Sequence, residues 1–190
     1  MHFPIGTGFS VAWGAMATIW LAGAPFTKAK LRTVPGTDRL RQFLILSTGF
    51  ALIGYGWKHL GVMSAPMWPE SDGMQLLGLT VTCTGILYAI WARLTLGSNW
   101  SGRPMVKQGH ELVTRGPYAL TRHPIYTGLL LATVGTAIAV DQVRVLPGLA
   151  LVAIGLAIKI GQEERLMISA FPNAYPIYRT RVKALFPGIW

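Results

Sequence analysis

The stretch YTGLLLATVGTAIAVDQVRVLPGLALVAIGLAIKI, residues 126–160, decides the fold. It is mostly apolar, broken in its middle only at DQVR, Asp141 to Arg144, with Lys159 near its end. One membrane crossing takes ~20 apolar residues, so the run is too long for a single span. The polar interruption, with Pro147 close behind it, reads as a turn between two antiparallel helices at about 124–140 and 145–161.

Working outward, three more apolar runs reach spanning length, at about 6–24, 43–62 and 74–94. Hydrophobic residues make up 52% of the 190 residues and charged residues only 13%. A soluble domain carries about 25% charged residues, and this chain could not cover a globule with charge. The expectation is an all-α, polytopic membrane helix bundle of about five transmembrane helices.

A net charge of +10 would suit a nucleic-acid binder, but the basic residues are sorted by loop. Lys28, Lys30, Arg32, Arg39 and Arg41 lie between the first two helices, and only Glu70 and Asp72 lie between the second and third. Arg93, Arg103, Lys107, Arg115 and Arg122 follow the third, and Arg165, Arg179, Arg181 and Lys183 follow the fifth. Cytoplasmic loops of membrane proteins collect Lys and Arg in this way. The alternation places the N-terminus outside and the C-terminus in the cytoplasm. It makes the lipid bilayer, not nucleic acid, the expected partner. The first run is positive after its apolar core, whereas a signal peptide is positive before it, so the run is kept as a helix.

Glycines recur seven apart at Gly78 and Gly85, Gly128 and Gly135, and Gly148 and Gly155. Each pair falls on one helix face, where small residues let backbones approach closely in lipid. The single cysteine, Cys83, excludes an internal disulfide and a cysteine metal cluster. His110 and His123 lack metal-ligand company, and no metal is expected. No G-x-G-x-x-G, P-loop, H-E-x-x-H or G-x-S-x-G motif occurs.

The polar chemistry gathers in HELVTRGPYALTRHPIYTG, residues 110–128, inside a connector between the third and fourth helices. Pro124 suits the first turn of a helix, which puts His123 near the cap in the extended backbone a pre-proline residue favours. A helix N-terminus is a favourable place for a carboxylate or other anion. A second cluster, KIGQEERL at 159–166, sets Glu163 and Glu164 just after the fifth helix beside Lys159 and Arg165. Ionisable groups at a membrane edge pair with one another or serve a site. If the fifth helix returns beside the fourth, the two clusters form one cytoplasmic pocket. The chain then divides into N-terminal transmembrane helices, 1–94, and a C-terminal core, 95–190, within one structural domain.

LGSNWSG (96–102), GHELVTRGPYALTRHPIYTG (109–128) and EERLMISAFPNAYPIYRTRV (163–182) together resemble the isoprenylcysteine carboxyl methyltransferase family and its relatives among the phospholipid methyltransferases. The ordered set H-x-L-V-T, G-P-Y, R-H-P-x-Y-x-G, a Glu pair and F-x-x-x-Y-x-x-Y carries the resemblance over about 96–187. It implies an integral membrane methyltransferase with S-adenosylmethionine as cofactor. It further implies that His110, Glu111, Leu112, Val113, Tyr118, His123, Pro124, Ile125, Tyr126 and Glu163 line the cofactor, with Arg122, Lys159 and Glu164 on the substrate side. The implied acceptor is a lipophilic small molecule or a prenylated group, methylated on a carboxylate, an amine or a thiol. Family members that methylate a prenylcysteine carboxylate carry Arg where this chain has Lys159, and lysine lacks the planar two-donor fork. The short chain resembles prokaryotic members, which implies an inner-membrane location. The alternative is an NADPH-dependent membrane sterol or isoprenoid reductase, whose cofactor phosphate would suit the basic loops.

Overall fold

The computed structural model describes residues 5–23, 30–33, 36–54, 61–97, 100, 105–107 and 112–186. Within them run helix α1 (Ile5–Gly23), strand β1 (Lys30–Thr33), helices α2 (Gly36–Ile53) and α3 (Asp72–Leu96), strand β2 (Met105–Lys107), and helices α4 (Pro124–Val140), α5 (Val145–Ala170) and α6 (Ala174–Arg181). The architecture is helical, as expected, with one small addition. β1 and β2 form an antiparallel ribbon in which Lys30 faces Lys107 and Thr33 faces Met105.

Helices α3 and α5 are long and apolar enough to cross a membrane, while α4 and the Leu40–Ile53 part of α2 are apolar but shorter. Two boundaries differ from those read off the sequence. α2 starts at Gly36, not near 43, because the polar TDRLRQ segment joins the helix, with Asp38 in its first turn where the helix dipole favours an acid. α5 runs on to Ala170, well past the end of its apolar run. The residues QEERLM are good helix formers regardless of polarity, and the helix stops at Phe171, held by Pro172. The glutamate pair therefore sits on α5 itself and not after it.

The glycine rows set the packing. α4 packs most extensively on α3, and α5 on α2, while the consecutive α4 and α5 share much less surface. At the α3–α4 crossing a Cβ on Gly85 would lie 2.4 Å from the amide nitrogen of Ala132, and one on Gly128 would lie 2.5 Å from the carbonyl oxygen of Gly85. Only glycine admits that approach, and interhelical contact without a hydrophobic driving force depends on it. Gly148 on α5 lies against Gly49 and Ile53 of α2 in the same manner. The Tyr126–Ile160 run is thus a pair of helices joined by a tight turn, each seated on a different partner.

Two ends of the bundle are distinguished by what crosses them. At one, Asp141 adopts a left-handed backbone (φ 50°), and its carboxylate accepts the amides of Met67 and Trp68 at 3.0 and 3.1 Å. Beside it Arg144 donates to the carbonyls of Leu52 and Gly54 at the end of α2. At the other end, the ribbon ties the α1–α2 link to the connector before α4. That pairing puts two of the basic loops at one end, as their charge led us to expect.

Candidate functional site

The site is built where α4 begins. Pro124 occupies the first helical turn and His123 the cap position, as read from the sequence. The backbone of His123 is bent (φ −123°, ψ 59°) and not extended. The reason lies in the C-terminal tail. The amide of His123 donates to Ala184 O at 2.9 Å and that of Arg122 to Lys183 O at 2.8 Å, while His123 O accepts from Tyr126 and Thr127. Thr127 Oγ1 adds a bond to Leu185 O at 2.5 Å. The start of α4 is therefore clamped by residues 182–185.

Just upstream, Gly116 takes φ +60°, a left-handed backbone open to glycine at no steric cost. The turn that it opens, Gly116–Ala119, lies on the last turns of α3, with Thr95 and Trp91 nearest Gly116. Tyr118 is buried there. Its carbonyl accepts the hydroxyl of Tyr178 from α6 at 2.5 Å. Burial pushes the Tyr118 phenol well above its ordinary pKa, with Glu163 and Tyr178 adding to the shift and Arg93 opposing it.

The two glutamates of α5 have separate surroundings. Glu164 is nearly enclosed. Its Oε1 accepts Nε and Nη2 of Arg122 at 2.8 and 2.6 Å, and its Oε2 lies 3.3 Å from Nε of Arg179. The remaining arm of Arg122 reaches the carbonyls of Val182 and Arg179. Glu163 is more open, with 22% of its side chain exposed against 10% for Glu164. It accepts the hydroxyl of Tyr126, and Lys159 Nζ stands 5.2 Å from the centroid of that same Tyr126 ring.

His123 joins the two. Its Nδ1 is 3.6 Å from Glu163 Oε2 and its Nε2 is 3.4 Å from Glu164 Oε1. The ring stacks on Tyr126 at 5.7 Å with an interplanar angle of 11°. Burial disfavours the imidazolium, but hydrogen bonds and charge from Glu163 and Glu164 outweigh it, so the pKa of His123 is raised.

Of the residues singled out in the sequence, Tyr118, His123, Tyr126 and Glu163 come together with Lys159, Arg122 and Glu164. Pro124 and Ile125 are buried beside them, and Ile125 belongs to the apolar core. Leu112 and Val113 are half-buried, Val113 against that core. His110 and Glu111 lie outside the described residues. Arg179, Tyr175 and Tyr178 were not assigned roles, although the F-x-x-x-Y-x-x-Y spacing that contains both tyrosines was visible. Among the described residues no group of three or more His, Cys, Asp or Glu is placed to hold a metal.

Comparison with known proteins gives a family pattern and relatives of two differently named kinds. The sequence pattern of the Isoprenylcysteine carboxyl methyltransferase (ICMT) family matches residues 76–169. A cobalt-zinc-cadmium resistance protein of Cupriavidus metallidurans is 36% identical over 112 residues, covering 58% of this chain and 50% of that protein. A protein-S-isoprenylcysteine O-methyltransferase of Tribolium castaneum is 32% identical over 123 residues, covering 63% of this chain and 44% of that enzyme. The chain thus spans about half the length of these curated relatives. Among solved structures, a eukaryotic intramembrane Ras methyltransferase, ICMT, superposes with a TM-score of 0.56 at 24% identity, covering 80% of this chain and 52% of that one. That likeness is one of fold.

Proposed function

Because the chain belongs to the isoprenylcysteine carboxyl methyltransferase family, we propose that it is an integral membrane methyltransferase that uses S-adenosylmethionine and acts on a lipophilic acceptor. The observation that carries this reading is the division of labour between Glu163 and Glu164. Glu164 is consumed by Arg122, Arg179 and His123, whereas Glu163 is the more exposed of the two and meets Tyr126 and His123.

The residues fit the cofactor. Adenosine calls for an aromatic or imidazole wall, which Tyr118 and the stacked His123–Tyr126 pair would supply, and a ribose diol suits a carboxylate such as Glu163. The sulfonium is a cation that aromatic faces and an acid stabilise. When bound, S-adenosylmethionine supplies an activated methyl group for in-line displacement. The protein's share is to align the acceptor and exclude water. His123 holds Glu163 in place, and Tyr126 fixes it from the other side. Leu112 and Val113 extend the cofactor wall in this reading, while the cofactor role that the sequence suggests for His110 and Glu111 falls outside the described residues.

On the substrate side Lys159 is the cation beside the open face, and Arg122 and Glu164 fix the wall behind it. With its oxygens engaged, Glu164 is poorly placed as a general base. This favours an acceptor that arrives as an anion, a carboxylate or thiolate, over an amine that must first lose a proton. The acceptor is lipophilic, prenylated or a smaller apolar molecule, entering from the bilayer. The topology that goes with this reading has five spans, the N-terminus outside, the site and C-terminus cytoplasmic, in a prokaryotic inner membrane. The Tribolium relative is named as a methyltransferase, which does not favour the reductase alternative.

The test is equilibrium binding to the purified protein in detergent, with S-adenosylhomocysteine and reduced nicotinamide adenine dinucleotide phosphate as parallel ligands. Saturable binding of the first alone is expected. Binding of the second alone would replace this reading with the reductase.

A further inference from the structure

Among the described residues, two buried side-chain polar atoms have no hydrogen-bond partner, Nε of Arg93 and Oε1 of Gln162. The two orphans differ in kind. Gln162 is neutral, and a single water would satisfy its oxygen. Arg93 is a cation at 6% exposure in the last turn of α3. Buried charges are ordinarily paired, since an uncompensated one is costly.

Arg93 has no acidic partner among the described residues. Its Nη1 donates to Gly97 O at 3.1 Å and its Nη2 to Gly23 O at 3.0 Å. Both carbonyls end helices and carry only partial negative charge. One face of the guanidinium lies over Trp100, 4.2 Å from the ring centroid, and Trp20 meets Trp100 edge-on at 6.4 Å. Arg144, the other buried arginine, makes an informative contrast. It also lacks an acid, but Gln142, Leu52 and Gly54 take its donors and none is left buried without a partner. Arg144 is complete as it stands, and Arg93 is not.

Position gives the incomplete cation a meaning. The Gly116–Ala119 turn, which carries the buried Tyr118, packs on the same end of α3, with Gly116 nearest Thr95 and Trp91. We infer that Arg93, with Trp100 over one face of its guanidinium and the Gly116–Ala119 turn on the same end of α3, forms a carboxylate-binding subsite. The inference rests on the methyl-transfer reading for the identity of its ligands. The carboxylate comes either from the amino-acid end of the methyl donor or from the acceptor. With Arg122 committed to Glu164, Arg93 is the buried arginine left for this task.

The experiment compares charged and neutral versions of each ligand on the full-length protein in detergent. S-adenosylhomocysteine is titrated against its carboxamide, and an N-acylated S-prenylcysteine against its carboxamide. A hydrogen bond to a charged group is worth about 1.5–3 kcal/mol, so one pair should differ by roughly tenfold or more. Which pair does so identifies the source. In R93Q the preference should vanish, while R93K, which keeps the charge but cannot span both helix ends, should lose thermal stability and retain much of the preference. Equal affinity within both pairs, or a preference that survives in folded R93Q, would overturn the subsite and leave Arg93 a clamp between helix ends. A charge preference for the prenylcysteine with no S-adenosylhomocysteine binding would keep the subsite and reject the methyl donor instead.

Discussion

The guanidinium of Arg122 donates two nitrogens to a single oxygen of Glu164, at 2.8 and 2.6 Å, and sends its third to the backbone of Val182. One side chain thereby fastens the start of α4 to α5 and to the tail after α6. Breaking a buried ion pair by removing one partner costs on the order of 3–5 kcal/mol, because the other charge stays buried and alone. We expect Glu164→Ala to lower the thermal midpoint in detergent strongly and to loosen the tail, seen as faster proteolysis after residue 181. Glu164→Gln should fall between. A wild-type midpoint in Glu164→Ala would remove the latch from the account.

Tyr178 reaches from α6 to the carbonyl of Tyr118 at 2.5 Å. A neutral hydrogen bond of this kind contributes about 1 kcal/mol net. Tyr178→Phe should therefore cost a modest amount of stability, measured by thermal unfolding. It should weaken S-adenosylhomocysteine binding only severalfold, because the Gly116–Ala119 turn keeps its backbone conformation. Complete loss of binding would assign Tyr178 to the ligand itself.

His123 supplies the pH dependence. Its folded pKa is raised by Glu163 and Glu164 above the ordinary value of about 6.5. A raised pKa means that the folded state binds the proton more tightly. The stabilisation is therefore fully present below the unfolded pKa and fades as pH rises through the folded one. Thermal midpoints should fall from mildly acidic to alkaline pH, and His123→Gln should flatten that slope. A slope unchanged in His123→Gln would trace it to another group.

At the α3–α4 crossing a Cβ on Gly85 would meet Ala132 N at 2.4 Å. Overpacking commonly costs about 1–3 kcal/mol, and backbone contacts here leave little room to yield. Gly85→Ala should destabilise the bundle, read as a lower thermal midpoint. Gly14→Ala, where a Cβ meets nothing within 4 Å, is the control and should be neutral or mildly stabilising, since alanine favours a helix. Equal effects of the two would refute the close crossing.

The start of α4 was legible because Pro124 suits a first helical turn, whereas the extended backbone expected of His123 gave way to the hold of the tail on its amide. The glycine rows were legible as faces, but a row does not say which helix it meets, so α4 was paired with α5 when its main partner is α3. The separation of Glu163 from Glu164 depended on α5 continuing past its apolar run. Neighbours on a helix point about 100° apart, and only a continuing helix sends one glutamate to Tyr126 and the other to Arg122. The tail was missed for a different reason. It holds Arg122 and His123 through the carbonyls of Val182, Lys183 and Ala184, and backbone acceptors leave no signature in residue type. Arg93 read as an ordinary basic loop residue until α3 was seen to enclose it.

The most direct measurement is the affinity of S-adenosylhomocysteine for the wild type, Glu163→Gln and Glu164→Gln, with thermal midpoints taken on the same samples. Saturable binding to the wild type is expected. Glu163→Gln should weaken it by roughly tenfold or more, the worth of a hydrogen bond to a charged group, with little change in midpoint. Glu164→Gln should chiefly lower the midpoint. Undiminished affinity in folded Glu163→Gln would contradict the assignment of the open glutamate to the cofactor.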